Sequence, residues 1–189
     1  MAAKVNIDEI GVDFFARDTL TVAADLLGVE MHYGGCAGII VETEAYRDDP
    51  ASHAVQRVGR ARLMRETFGH IYIYKAYGLH LCLNFTTEKN GVGAVLIRAL
   101  EPTQGLTNMR RRRSVDNVYE LTNGPGKVCQ ALGIDAGLNG RPVGRELRLL
   151  RVCKPPLIMR RQRIGISKAR DLEWRFLVAG NRFLSRPKG

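Results

Sequence analysis

Cys36-Ala37-Gly38-Ile39-Ile40-Val41-Glu42-Thr43-Glu44-Ala45-Tyr46 is the stretch whose reading decides the fold. It is rich in β-branched residues and alternates with a period of two, which predicts a strand. Side chains two apart on a strand leave from the same face, so Glu42, Glu44 and Tyr46 project together. Two carboxylates and a phenol make a poor hydrophobic core. That face is either solvated or lines a polar cleft.

Upstream, Asp18 reads as an N-cap for a helix carrying Leu20, Ala23, Ala24 and Leu27, with Gly28 as its stop. Downstream, Arg47 to Met64 has turn and charge signals without a clean period and reads as a long functional loop. Ile71 to Phe85 alternates again and breaks at Gly78, which predicts two strands joined by a tight turn in a protruding hairpin. Gly93 to Leu100 is another strand, and Glu101-Pro102 leads into a helix ending in Arg110 to Arg113. Asn123-Gly124-Pro125 opens a short helix closed by Gly133. Arg145 to Val152 and Phe176 to Val178 read as late strands. There is no repeat, low-complexity tract or linker. Residues 1–189 are therefore expected to form a single compact α+β domain, with a mostly antiparallel curved sheet and flanking helices.

A formal charge of +10 and a pI near 9.8 point to a polyanionic partner. Arginine supplies 22 of the 29 basic residues, which favours two-pronged contacts to phosphate. Nucleic acid fits this better than a membrane surface, and a basic surface with no ligand is the plain alternative. A hydrophobic fraction of 45% and a charged fraction of 25% fit a globular chain. Its length allows one domain burying roughly 70% of the unfolded surface. Cys36, Cys82, Cys129 and Cys153 form no C-x-x-C pair. The first three lie in apolar stretches and read as core residues rather than zinc ligands or disulfides. With no signal peptide or long apolar run, the expected location is cytoplasmic, nucleoid-associated in a bacterium, with no membrane contact.

Tyr72 and Tyr74 share one face of the first hairpin strand, as core packing or as a pocket wall. Tyr77 points the other way at the hairpin tip, beside Gly78 and Leu79, where there is little core to fill. It suits a wedge inserted between base pairs. Asn84 and Arg98 interrupt apolar strands and need partners if buried, and Glu44 is a candidate partner for Arg98. Arg110 to Arg113 is a solvated helix end favoured by the dipole, with phosphate contact as the second reading. Gly124-Pro125-Gly126-Lys127 offers free backbone N–H groups and a lysine, an anion seat that simple capping explains equally well. His53 stands in an acidic, loop-like context, Asp48 to His53, but lacks companions at metal-ligand spacing. No metal and no cofactor are expected.

In order along the chain, several segments resemble the alkyladenine (3-methyladenine) DNA glycosylase family: Val41-Glu42-Thr43-Glu44-Ala45-Tyr46, Asp49-Pro50-Ala51-Ser52-His53-Ala54, Gly69-His70-Ile71-Tyr72-Ile73-Tyr74 and Tyr77-Gly78. Cys82-Leu83-Asn84, Leu96-Ile97-Arg98-Ala99-Leu100-Glu101-Pro102, Gly124-Pro125-Gly126-Lys127-Val128-Cys129-Gln130-Ala131-Leu132 and Arg163-Ile164-Gly165-Ile166-Ser167 continue the match. The resemblance runs from about Phe14 to Ser185.

It implies a monofunctional N-glycosylase acting on double-stranded DNA containing damaged purines; a monomer is the default expectation for a groove-binding enzyme of this size. Glu44 would hold and deprotonate the attacking water, and Arg98 would orient carboxylate and water. Tyr46, His53 and Tyr74 would sandwich and contact the flipped base, and Asn84 would hinder guanine through its exocyclic amine. Tyr77 would fill the vacated stack, and a backbone carbonyl within Arg163 to Ser167 would help bind the water. Two places depart from the family's text. Gly59 to Phe68 lacks the usual Thr-Pro-Arg-Asn, Met-Phe and Pro-Gly, and Lys75-Ala76 replaces an aliphatic pair. A non-catalytic nucleic-acid-binding module and an RNA-directed enzyme are the competing readings.

Overall fold

The computed structural model describes residues 8–56, 62–152 and 157–185. Among these residues nine strands form one sheet: β1 (Asp8–Glu9), β2 (Val29–Tyr33), β3 (Cys36–Tyr46), β4 (Ile71–Ala76), β5 (His80–Thr87), β6 (Gly93–Gln104), β7 (Arg148–Arg151), β8 (Ile158–Arg161) and β9 (Arg175–Val178). Among the described residues five α-helices accompany them: α1 (Thr19–Asp25), α2 (His53–Gln56), α3 (Arg62–Glu66), α4 (Leu106–Arg113) and α5 (Pro125–Leu132). Among the described residues every strand pairing is antiparallel, so the fold class is α+β as expected.

The sheet runs β1-β7-β2-β3-β6-β5-β4, and it forks at β3. One edge of β3 follows β6 from Ala37 to Tyr46. The other edge pairs first with β2, from Cys36 to Ile39, and then with β9, from Glu42 to Glu44. The partner changes where the β3–β6 register shifts, between Ile40 and Thr43. A bulge changes the parity of alternation. Cys36 and Ile40 therefore join the main core at one end of β3, while Ala45 joins it at the other. Glu42, two residues from Ile40, meets Arg98 instead.

Beyond the bulge, the sheet has two chemically distinct faces. Ala45, Val95, Ile97, Leu83, Phe85, Ile71 and Ile73 point into the main core. Their alternates, Tyr46, Ala94, Leu96, Arg98, Cys82, Asn84, Tyr72 and Tyr74, line a cleft. Helices cover the core face: α1 packs on β3 and β6, and α5 on β5 and β6. Fully buried Phe15, Phe85, Phe176, Leu26, Met31 and Met109 fill the space, each contributing about 1.5–3 kcal/mol by leaving water.

Local signals set the helix ends. The Asp18 carboxylate accepts the Thr21 N–H at 3.0 Å, capping α1. Pro125 occupies the first turn of α5, and Gly133, at φ +75°, ends it in the left-handed region.

Other expectations are corrected. Arg47 to Met64 is partly helical: α2 lies within it and α3 begins within it, because Ala54 and Met64 have a small second core to reach with Tyr72 and Ala94. Glu101 and Pro102 do not leave the sheet, and β6 runs on to Gln104. Pro102 lies opposite Gly38, next to the register shift between Ala37 and Gly38, where a missing N–H is tolerated. The late strand begins at Arg148 rather than Arg145. The arginine run is less free than a solvated helix end. Arg112 donates to the Ala131 carbonyl and Arg113 to that of Leu121, tying α4 to the α5 region. Cys36, Cys82 and Cys129 are buried free thiols, and burial pushes Cys129 up to about 12. Cys153 falls outside the described residues. Strands β1, β2 and β8 had no reading in the sequence: β1 and β8 are too short to show a period, and the alternation of Val29–Tyr33 spans only five residues.

Candidate active site

Four strands build the cleft floor, and their register aligns its residues. Glu44 lies opposite Leu96, Leu96 opposite Asn84, and Asn84 opposite Tyr72. Strands about 4.8 Å apart place the ends of this row about 14 Å apart. The cleft itself encloses about 1530 Å³, more than the roughly 300–1,000 Å³ of a small-molecule pocket. It is large enough for part of a polymer.

Glu44 has no exposed surface. Its Oε1 accepts the Ile164 backbone N–H at 2.7 Å. Its Oε2 accepts the Tyr46 hydroxyl at 2.8 Å and faces Arg98 Nη1 at 3.2 Å. Tyr46, Arg98 and Ile164 all line the cleft, so the carboxylate lies one layer beneath its floor. The partnership expected between Glu44 and Arg98 is present, and the face carrying Glu42, Glu44 and Tyr46 is not solvated.

Arg98 also serves a second carboxylate. Its Nε is 3.4 Å from Glu42 Oε1 and donates to Ser185 Oγ at 3.2 Å. Glu42 accepts the Ser185 N–H at 2.6 Å, the Ser185 hydroxyl at 2.8 Å and Arg175 Nη1 at 3.1 Å. Burial acts to lower the Arg98 pKa, but Glu44 and Glu42 overcome it and hold the guanidinium above its ordinary value. The cation is fixed.

The aromatic wall stands on β4 and α2. His53 Nδ1 is 2.8 Å from the Tyr72 hydroxyl, and its ring meets Tyr74 edge to face at 4.5 Å. Asn84 Nδ2 donates to the carbonyls of Tyr72 and Cys82 at 3.0 and 3.2 Å, which locks its rotamer. Burial raises the hydroxyl pKa of Tyr46 well above the ordinary value, with Glu44 adding to it. Burial does the same to Tyr74, with Cys82 adding. Both stay neutral donors. Tyr77 follows β4 at the hairpin turn, 85% exposed and at φ +52°. Lys127 Nζ bonds to Asn123 Oδ1 at 2.6 Å within the cleft, and burial followed by Arg113 lowers its pKa.

The structure thus brings Arg98, Tyr46, His53, Tyr74, Asn84, Tyr77 and Lys127 to one cleft and leaves Glu44 buried beneath its floor. It adds residues to which sequence reasoning gave no role. Glu42 carried a signal, since it shares the strand face of Glu44. Arg175 and Ser185 carried none, because their partner Glu42 lies 133 and 143 residues away. Asp49 and Arg163 stood in recognisable motifs without visible purpose, and they pair with each other. Among the described residues no cluster of His, Cys, Asp or Glu could hold a metal ion, and no helix is long and apolar enough to cross a membrane.

An arginine-held carboxylate beneath an aromatic-walled cleft, on a strongly basic chain, is compatible with an enzyme that acts on nucleic acid. Comparison with known sequences makes the class specific. The profile of the methylpurine-DNA glycosylase family matches residues 13–182, and the chain belongs to that family. A relative from Rhizobium meliloti is 49% identical over 181 residues, covering 93% of this chain and 95% of its own. Relatives from Agrobacterium fabrum (45% over 181 residues, 94% and 93% covered) and Methanoculleus marisnigri (46% over 185 residues, 92% and 96% covered) are similar. All three are named as candidate 3-methyladenine DNA glycosylases. Membership makes this chain a DNA glycosylase, an enzyme of DNA repair.

Proposed function

We propose that this protein flips alkylated or deaminated purines (the 3-methyladenine, 7-methylguanine, hypoxanthine and ethenoadenine class) out of duplex DNA and hydrolyses their N-glycosidic bond, leaving an abasic site. The observation that carries this reading is the Glu44 carboxylate, held from three sides directly below a cleft walled by Tyr46, His53 and Tyr74.

The glycosidic bond cannot be reached inside a stacked duplex, so the nucleotide must leave it, at a cost of a few kcal/mol that is smaller for a damaged base. Tyr77 stands free at the hairpin tip to take the vacated place. Arginine-rich surface holds the distorted backbone, with Lys127 a candidate phosphate contact. In the cleft, the base stacks against Tyr46 and the Tyr74–His53 pair. Asn84, locked by two backbone carbonyls, cannot retreat from the amino group of guanine and so discriminates against it.

A carboxylate offers about four lone-pair sites, and the three donors described leave Oε1 room for one more. A water there gives its proton to Glu44 as its oxygen attacks C1′. The C1′–N bond breaks and its electron pair departs with the base. The anionic carboxylate stabilises the oxocarbenium-like charge on the sugar, and Arg98 keeps Glu44 aimed. A carbonyl in the 163–167 segment, which touches Glu44 through the Ile164 N–H, accepts a hydrogen bond from the water's other O–H in this reading. Lyase chemistry needs an amine nucleophile. The cleft's lysines, Lys75 and Lys127, belong to the hairpin and to α5 rather than to the Glu44 cluster. The protein acts as a monomer on one lesion at a time.

The test is incubation with duplexes each carrying one of these lesions, followed by alkaline cleavage at abasic sites. The native protein should cut and Glu44→Gln should bind without cutting. Base release by Glu44→Gln at the native rate would overturn the assignment.

A further inference from the structure

Arg163 is buried as deeply as the carboxylate it neighbours. Its guanidinium grips Asp49 with two arms, Nη2 to Oδ1 at 2.8 Å and Nη1 to Oδ2 at 3.1 Å, and Nη1 also donates to the Ala45 carbonyl at 3.0 Å. Its flat faces meet two rings, Tyr46 at 4.7 Å and Trp174 at 5.1 Å. The side chain of Arg163 is 0% exposed and that of Asp49 is 4% exposed. A buried ion pair of this kind is a poor source of stability, since desolvation offsets much of the attraction. Its geometry suits a different task.

Each partner belongs to a different wall of the cleft. Asp49 builds the turn after Tyr46 by accepting the N–H groups of Arg47 and Ala51, and that turn delivers His53 to Tyr72 and Tyr74. Arg163 immediately precedes Ile164, whose N–H holds Glu44 Oε1. Ala45, the third partner, lies between Glu44 and Tyr46 on β3. One guanidinium therefore ties together the base wall, the strand bearing Glu44 and the segment covering it.

The geometry points to Asp49 and Arg163 as positioning residues for base excision: their buried pair fixes the Ile164 N–H over Glu44 and sets the carboxylate's angle to the cleft. The inference rests on Glu44 being the group that activates water. Lysine cannot replace Arg163, because a point charge lacks the planar fork that reaches a carboxylate and a carbonyl at once. Misplacement of the acid by about 1 Å is enough to cost on the order of 100-fold in rate.

The experiment separates binding from chemistry. Asp49→Asn, Arg163→Lys and the apolar double variant Asp49→Leu/Arg163→Met are compared with the native protein and Glu44→Gln. Dissociation constants are measured on a duplex whose lesion nucleotide carries a 2′-fluorine and resists cleavage, and single-turnover excision on the cleavable duplex. Thermal unfolding followed by far-ultraviolet circular dichroism reports folding, since Trp174 packs on Arg163 and its emission responds to the substitution itself. The expected result is affinity within about threefold and excision slowed about 10- to 100-fold in all three variants. The double variant leaves no unpaired charge and keeps its fold if a single variant does not.

Folded variants that excise at the native rate overturn the inference. So does a parallel fall in affinity and rate, the mark of a purely structural pair, or a double variant that fails to fold. An active Glu44→Gln sinks the reading of Glu44 itself. An inactive Glu44→Gln beside fully active pair variants sinks only the positioning role.

Discussion

Arg98 Nη1 is 3.2 Å from Glu44 Oε2, with 8% and 0% of the two side chains exposed. Because Nε of the same guanidinium faces Glu42, removing the arginine leaves Glu44 without a cation and takes one of two from Glu42, which keeps Arg175. Arg98→Met is expected to lower stability by about 3–5 kcal/mol. Glu44→Gln preserves shape and leaves Arg98 paired with Glu42 but turns one buried acceptor into a donor, so it should lose about 1–3 kcal/mol of stability while losing about 100- to 10,000-fold in excision. Thermal or urea unfolding beside single-turnover assays checks both. A Glu44→Gln protein within tenfold of native activity contradicts the second.

Tyr77 combines exposure with a positive φ that tyrosine seldom adopts. Tyr77→Ala is expected to weaken lesion-duplex binding by about 1–3 kcal/mol, the range for loss of one stacked ring. Tyr77→Gly should show the same binding defect with stability unchanged or raised by up to about 1 kcal/mol, since glycine relieves the backbone. If Tyr77→Gly binds lesions normally, the wedge is not used.

The raised hydroxyls of Tyr46 and Tyr74 make stability depend on alkaline pH. A neutral acid whose folded pKa exceeds its unfolded value, about 10 for tyrosine, holds its proton more tightly when folded. Its contribution is whole below that value and declines as pH rises through the folded one. Unfolding free energy should therefore fall above about pH 10, less steeply in Tyr46→Phe. Tyrosinate absorbance followed through the same titration should show Tyr46 and Tyr74 ionising only as the chain unfolds. Ordinary titration of both in the folded protein refutes this.

Lys127 offers a test of the phosphate contact. Each phosphate neutralised contributes about 0.9 to the slope of log affinity against log salt. Lys127→Gln should lower that slope by about one such step and weaken damaged and undamaged duplexes alike. An unchanged slope would leave Lys127 as a helix-start residue bonded to Asn123.

Lesion chemistry should separate by pH. A purine alkylated at N3 or N7 is already cationic and leaves neutral, whereas hypoxanthine needs a proton or hydrogen bond to leave. Excision of hypoxanthine is expected to decline as pH rises, while that of 7-methylguanine changes less. Superimposable rate profiles for the two would remove the need for an acid in the mechanism.

Much of this was legible in the chain because period and punctuation are local properties. Alternation placed β3, the hairpin and the start of β6, and Asp18, Pro125 and Gly133 marked helix ends. Arg98 and Asn84 were visible as polar residues interrupting apolar strands, a pattern that requires partners, and Glu44 as a member of a strand face bearing two carboxylates. The helices α2 and α3 were missed because their stability comes from packing Ala54 and Met64 against Tyr72, not from their own composition. The end of β6 was misjudged because a proline usually leaves a sheet, and here it is tolerated beside a register shift.

Sequence alone determined the class of chain: a basic α+β protein, the strand carrying Glu44, and a tyrosine at a hairpin tip. Tertiary structure decided what each charged group faces. Whether the Glu42–Glu44 face met water or protein depended on Arg98, Arg175, Ser185 and Ile164, most of them more than a hundred residues along the chain. Ion pairing acts over a few ångströms of space and is indifferent to separation along the backbone, so no local pattern could record it.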